Sequence, residues 1–333
     1  MHAATQPIPL HSTRLFPVGQ GATAYALSGI AARCDWVVLS DPNPPQTALI
    51  EQRPGPRPRH VFVSMRNPFA ALHYVRDHLL RRIESPFHLI SGSEDCTLPE
   101  QRDKRWRDFN RTEQRIIDEI IEDPRVISWS AENLLRRWHP KSRPLPLGMV
   151  PSGANSPQQL PQQPPQHHPP RQAIRPMRML CLHRIREGPQ WDLRRRVSAL
   201  CRTELATWST VIEQEVPRRR FETLLRLHAF VICAEGGGID PSPKAWHALL
   251  QGAIPIIRSS GLDPAYAQLP VLIVQDWSAA ELSWRQLQDR QQALLPWFDT
   301  QEGRAEVLRR LSLDHWWDQI NRCSEPEALA IRA

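Results

Sequence analysis

The chain has 333 residues, 41% hydrophobic and 23% charged, which is long enough for two domains with real cores. Lys and Arg number 42 against 35 Asp and Glu. That excess suits an anionic ligand, but no nucleic-acid-binding motif or aromatic stacking platform accompanies it, and no run approaches 18 apolar residues.

Residues 1–17 lack the apolar stretch of a signal peptide, so a cytoplasmic protein is expected, with peripheral membrane contact through a basic face left open. The six cysteines show no CxxC spacing and read as free thiols in a reducing compartment. Gly19-Gln20-Gly21 follows no apolar strand and has no third glycine, which argues against a nicotinamide dehydrogenase. Segments 35–40 (DWVVLS), 60–64 (HVFVS) and 87–91 (FHLIS) have the short apolar runs of buried strands. Segments 69–83 and 111–121 carry helical periodicity. Residues 126–129 read as a further strand and 131–138 as a short helix.

Residues 151–176 are dense in proline and glutamine and form a linker or exposed loop; His167 and His168 within it read as solvated. Beyond it the alternation returns. Strands are expected at 179–182, 210–216, 229–234, 253–257 and 271–274, and helices at 192–206, 218–227 and 243–251. The arginine runs at 194–196 and 218–220 read as solvated helix faces. Ser278 with Glu281 reads as a capping box, and helical patterns continue to about Cys323. The pattern predicts an α/β chain with two Rossmann-like, doubly wound domains facing a cleft. The divisions are 1–150, a linker at 151–176, a second domain at 177–300, and a helical segment at 301–333 that packs back on the first domain.

The segment 230–257 reads FVICAEGGGIDPSPKAWHALLQGAIPII. An apolar strand runs into Glu235, three glycines and Asp240, then into a helix capped by Ser242 with Pro243 at its first position. Gly252 closes the helix and a strand follows. This order makes a phosphate site. Gly236, Gly237 and Gly238 allow close backbone approach, the helix N-terminus offers free N–H groups, and Lys244 adds charge. Glu235 and Asp240 can accept hydrogen bonds from sugar or ribose hydroxyls.

The order Ala234-Glu235-Gly236-Gly237-Gly238-Ile239-Asp240, Lys244, Trp246, Gly252-Ala253-Ile254-Pro255-Ile256 resembles the exostosin-like glycosyltransferases of GT-B architecture. Looser likenesses extend from Phe87 to Trp277, including Ser93-Glu94-Asp95, Ile127-Ser128-Trp129-Ser130-Ala131-Glu132-Asn133 and Leu269-Pro270-Val271. The resemblance implies transfer of a sugar from a nucleotide diphosphate, UDP among the candidates, to a hydroxyl-bearing acceptor such as a glycan. It implies no bound metal or other cofactor, a donor site on the second domain and an acceptor site on the first. The donor site would use Glu235, Gly236, Gly237, Gly238, Ile239, Asp240, Lys244 and His247, with Arg184 and Arg186 as cations at a strand end. Asp95, with Glu94 as alternate, would be the general base. Lys244 stands where the family has Arg, and His247 where it has a ribose-gripping Glu. The departure at His247 keeps a non-catalytic nucleotide-sugar-binding protein as the alternative reading.

Overall fold

The computed structural model describes residues 7–11, 25, 27–43, 45–150, 169–241 and 243–322. Most of the proline-rich linker with His167 and His168, the expected cap Ser242, Cys323 and Gly19-Gln20-Gly21 lie outside the described residues.

In the first half, β1 (Trp36–Pro42) folds back antiparallel onto β2 (Pro45–Glu51). β3 (His60–Ser64) leads into α1 (Pro68–Tyr74), where Asn67 caps the Ala70 N–H and Pro68 occupies the first turn. That helix continues through a π-helical turn (Val75–Leu79) into α2 (Leu80–Arg82). β4 (Phe87–Gly92), α3 (Arg111–Glu122), β5 (Val126–Ala131) and β6 (Ser142–Pro144) follow. Asn110 and Glu113 form a capping box at α3, whose Ile116, Ile117, Ile120 and Ile121 are buried. The strands form one sheet in the order β2-β1-β3-β4-β5-β6, parallel except for the β1–β2 hairpin.

The second half runs β7 (Met179–Leu182), α4 (Asp192–Arg202), β8 (Ser209–Ile212), α5 (Arg218–Leu227), β9 (Phe230–Ile232), α6 (Pro243–Leu250), β10 (Ile254–Arg258), α7 (Asp263–Tyr266) and β11 (Leu272–Val274). Its parallel sheet has the order β11-β10-β9-β7-β8. The strand order reverses at β7, and the β7–β9 boundary is where ligands bind in open α/β sheets. The architecture is thus two Rossmann-like α/β domains, each built on a mainly parallel sheet.

Among the described residues three helices follow: α8 (Trp284–Asp299), α9 (Gln301–Arg310) and α10 (Leu313–Arg322). α10 lies against the first sheet. Trp317 packs 4.4 Å from the His60 ring, Asn321 Oδ1 is 2.9 Å from His60 Nε2, and Arg33 pairs with Asp314. Among the described residues, no helix is long and apolar enough to cross a membrane.

Two expected elements are absent for identifiable reasons. Residues 131–138 form no helix beyond the end of β5, because their backbone is used elsewhere: Leu98 N donates to Asn133 O (3.1 Å) and Leu135 N to Leu98 O (2.8 Å). Ser278 opens only a turn: its Oγ accepts from Glu281 N (3.3 Å) as in a capping box, but the Glu281 carboxylate accepts from the backbone N–H groups of Gln275 (2.8 Å) and Asp276 (2.9 Å) instead of that of Ser278. β2 was not foreseen because PQTALIE has no apolar run; it is an edge strand with no fully buried residue.

In the first sheet, His60, His88 and Ser128 are register neighbours on three adjacent strands. The two rings stack at 5.4 Å and His88 Nδ1 lies 2.8 Å from Ser128 Oγ. Burial, followed by the charges of His60 and Arg59, lowers the His88 pKa from 6.5 to about 4. The unfolded chain therefore takes up a proton near pH 6.5 that the folded protein refuses until about pH 4. Stability contributed by neutral His88 is present above pH 6.5 and lost as pH falls toward 4, by about 3 kcal/mol in all. Urea unfolding at pH 7 and pH 4.5 should show a smaller difference for His88→Gln than for the unaltered chain.

Candidate active site

The carboxyl ends of both sheets meet at a cleft of about 660 Å³. On the first domain, β4 ends in Gly92 and Ser93, and Ser93 has φ 78°, a strained value for a residue with a side chain. Buried Glu132 imposes that turn: its Oε2 accepts from Ser93 N at 2.9 Å, and a Cβ at Gly92 would sit 2.2 Å from its carboxyl carbon. The turn delivers Glu94 and Asp95. Arg105 Nη2 holds three carboxylates together, Glu94 at 3.0 Å, Asp95 at 2.8 Å and Asp103 at 2.6 Å. Burial opposes the Arg105 charge, yet these partners raise its pKa above the usual value. Asp95 lines the cleft, while Glu94 is not among the lining residues.

On the second domain, Gly236, Gly237 and Gly238 line the cleft, and at Gly237 and Gly238 the freedom from side chains serves the neighbouring domain first. A Cβ at Gly238 would lie 2.2 Å from Asn133 Oδ1 and 2.7 Å from Asp95 O; one at Gly237 would lie 2.9 Å from Asp95 Oδ2. Asn133 fastens the two domains. Its Oδ1 accepts from Ile239 N (3.0 Å) and Asp240 N (3.1 Å), and its Nδ2 donates to Glu94 O (3.2 Å). Gly261 N adds a backbone bond to Leu135 O at 3.2 Å.

Several expected donor contacts have protein partners instead. Glu235 is ion-paired with Arg258 at the end of β10, and neither it nor Ile239 is among the cleft-lining residues. Asp240 lines the cleft, but its Oδ2 accepts from Leu147 N (3.0 Å) and from the Tyr266 hydroxyl (3.1 Å). Each of these buried carboxylates therefore has a structural partner in the folded chain. Lys244 lines the cleft, yet its ammonium donates to Leu182 O (2.6 Å), His183 Nδ1 (2.9 Å) and Ile232 O (3.3 Å). It ties β7 to β9, and burial lowers its pKa to about 8. His183 beside it is kept neutral at neutral pH, with a pKa of about 4 from burial and the Lys244 charge.

His247 lines the cleft one turn along α6, edge-on to Phe221 at 5.7 Å. Burial, then Arg218, lowers its pKa to about 4, so the ring is a neutral hydrogen-bonding group at neutral pH. Arg184 and Arg186 are exposed at the cleft edge beyond β7, with Arg184 Nε 2.6 Å from Glu215.

Arg194 was missed. Expected on a solvated face, it is 9% exposed and lines the cleft. Its Nε donates to Glu235 O (3.1 Å), one terminal nitrogen donates to Arg184 O (3.1 Å), and the other lies 3.0 Å from the Cβ position of Gly236. The guanidinium lies over Trp191 at 4.9 Å. The sequence did hold a signal: Arg194, Val197, Ser198 and Cys201 share the buried stripe of α4 at helical spacing. Arg105 and Arg258 pair with residues of other segments and left no local pattern, while Asn133 was marked only as the end of the element 127–133. In all, six cationic side chains (Arg105, Arg184, Arg186, Arg194, Arg218 and Lys244) line the cleft against the carboxylates of Asp95, Glu215 and Asp240.

No protein-family model and no curated protein sequence matches the chain. Among solved structures, trehalose-6-phosphate synthase OtsA is similar over 80% of this chain and 72% of its own, with a TM-score of 0.42 and 10% identity. Sucrose-phosphate synthase from Thermosynechococcus elongatus covers 82% and 74%, with a TM-score of 0.42 and 14% identity. Spinosyn rhamnosyltransferase SpnG, complexed with thymidine diphosphate, covers 83% and 72%, with a TM-score of 0.33 and 17% identity.

Proposed function

We propose that the cleft is the active site of a cytoplasmic glycosyltransferase that moves a sugar from a nucleotide diphosphate, UDP foremost, to a hydroxyl on a glycan or similar acceptor. The observation that carries this reading is the cation-rich cleft at the carboxyl ends of both sheets, floored by the Gly236–Gly238 backbone and by Arg194. The exostosin-like order of residues 234–277 supports it.

In this reading the diphosphate lies over the three glycines toward the start of α6. The Arg194 nitrogen near Gly236 and the exposed Arg184 and Arg186 balance the charge that builds on the leaving group. Arg194 is already fixed by its two carbonyl partners and its place over Trp191, so little reorganisation is needed. Lys244 contributes field through its fixed charge while its hydrogens hold β7 and β9. His247, neutral, is placed to hydrogen-bond a nucleotide hydroxyl. Asp95 faces the glycines from the other domain and takes the proton of the acceptor hydroxyl.

A thermal-shift screen followed by calorimetry tests the reading. UDP or another nucleoside diphosphate should raise the unfolding temperature, because it binds only the folded state. Arg194→Met should weaken that binding by about 10- to 100-fold, the worth of a charge-assisted hydrogen bond. If no nucleoside diphosphate binds at millimolar concentration, the reading fails. Binding with no transfer to any acceptor would favour a nucleotide-sugar-binding protein without catalysis.

A further inference from the structure

We infer that the solvent face of α5, with the adjoining 3₁₀ turn Gln172–Ile174, is a docking surface for an anionic lipid bilayer. At about 100° per residue, Arg219, Arg220, Thr223 and Leu227 share the side of α5 opposite buried Leu225, with Arg226 on its flank. That face carries Arg219 and Arg220 and no acid. Glu222 lies toward the flank, ion-paired with Arg218 at 2.9 Å. Arg226 on that flank donates to Gln251 Oε1 at 2.6 Å.

Aliphatic side chains stand at the end of this basic face. Leu227 is 55% exposed and Ile174 is 75% exposed, two of the four large hydrophobics exposed among the described residues. They lie at the same end of α5, because the guanidinium of Arg175, next to Ile174, donates to the carbonyls of Leu225 (2.9 Å) and His228 (3.2 Å). A soluble polyanion would use the arginines and leave Ile174 and Leu227 in water. An anionic bilayer uses both, with headgroup charge for the arginines and the acyl boundary for the aliphatics.

The test is co-sedimentation of the full chain with phosphatidylcholine vesicles, with and without phosphatidylglycerol. Binding is expected only to the anionic vesicles and should fall with salt. Arg219→Gln with Arg220→Gln should weaken it by about fivefold for each charge removed. Ile174→Ser with Leu227→Ser should weaken it separately at low salt. UDP binding should be unchanged in both double variants, since none of the four residues lines the cleft. Three results would overturn the inference: no binding to anionic vesicles at low salt, binding that survives loss of both arginines, or vesicle binding unaffected by the aliphatic changes. The last, joined to tight heparin binding, would identify a soluble-polyanion site instead.

Discussion

Asp95→Asn is expected to lower turnover by about 10²- to 10⁴-fold, the contribution of a positioned general base, while UDP affinity changes only a few-fold. The two effects separate because Asp95 belongs to the first domain, whereas the diphosphate contacts proposed above come from the second. Asparagine keeps a hydrogen-bond acceptor for Arg105 but cannot take a proton. One guanidinium nitrogen serves Glu94, Asp95 and Asp103 together, so the group retains net negative charge. Calorimetry with UDP and a transfer assay on the same preparation separate the alternatives. Wild-type turnover in Asp95→Asn would remove it as the base, and lost UDP binding would give it a donor-side role.

Gly238→Ala is expected to destabilise the protein by about 3 kcal/mol, at the upper end of overpacking costs, and to weaken nucleotide binding with it. The added carbon would meet Asn133 Oδ1 at 2.2 Å and the Asp95 carbonyl at 2.7 Å. Neither yields easily. Asn133 is held by two backbone N–H groups from the second domain and one carbonyl of the first. The Asp95 carbonyl belongs to the turn that Glu132 locks. Relief therefore requires the domains to part, which opens the cleft. Urea unfolding and UDP calorimetry report the two consequences. Stability and affinity both equal to the unaltered chain would show that the interface at Gly238 is looser than its geometry indicates. Asn133→Ala should not rescue the variant, because it removes the oxygen but leaves Ile239 N and Asp240 N without their acceptor.

The sequence was most informative where short-range rules dominate. Apolar runs located buried strands such as β3 and β4, and periodicity located α3 and α5, the latter at its observed bounds of Arg218–Leu227. The glycine segment fell where a parallel sheet presents its carboxyl ends, since strand, turn and helix signals there are all local. The 131–138 segment went wrong because local propensity yielded to bonds with Leu98, which lies more than 30 residues away.

By itself, the sequence determined two α/β layers, the position of the glycine turn, and a cationic surplus that needs an anion. Only the tertiary structure decided what each polar side chain does. Glu235 and Asp240 became anchors, Lys244 a strap and Arg194 the buried cation of the cleft, because a buried charge must find its partner wherever the folded chain supplies one, and those partners are Arg258, Leu147, Tyr266 and carbonyls from other elements. The three glycines show both levels in one place. Sequence marked them as a turn of close approach, and folding showed that the first groups to approach are Arg194 at Gly236, and Asp95 and Asn133 of the opposite domain at Gly237 and Gly238.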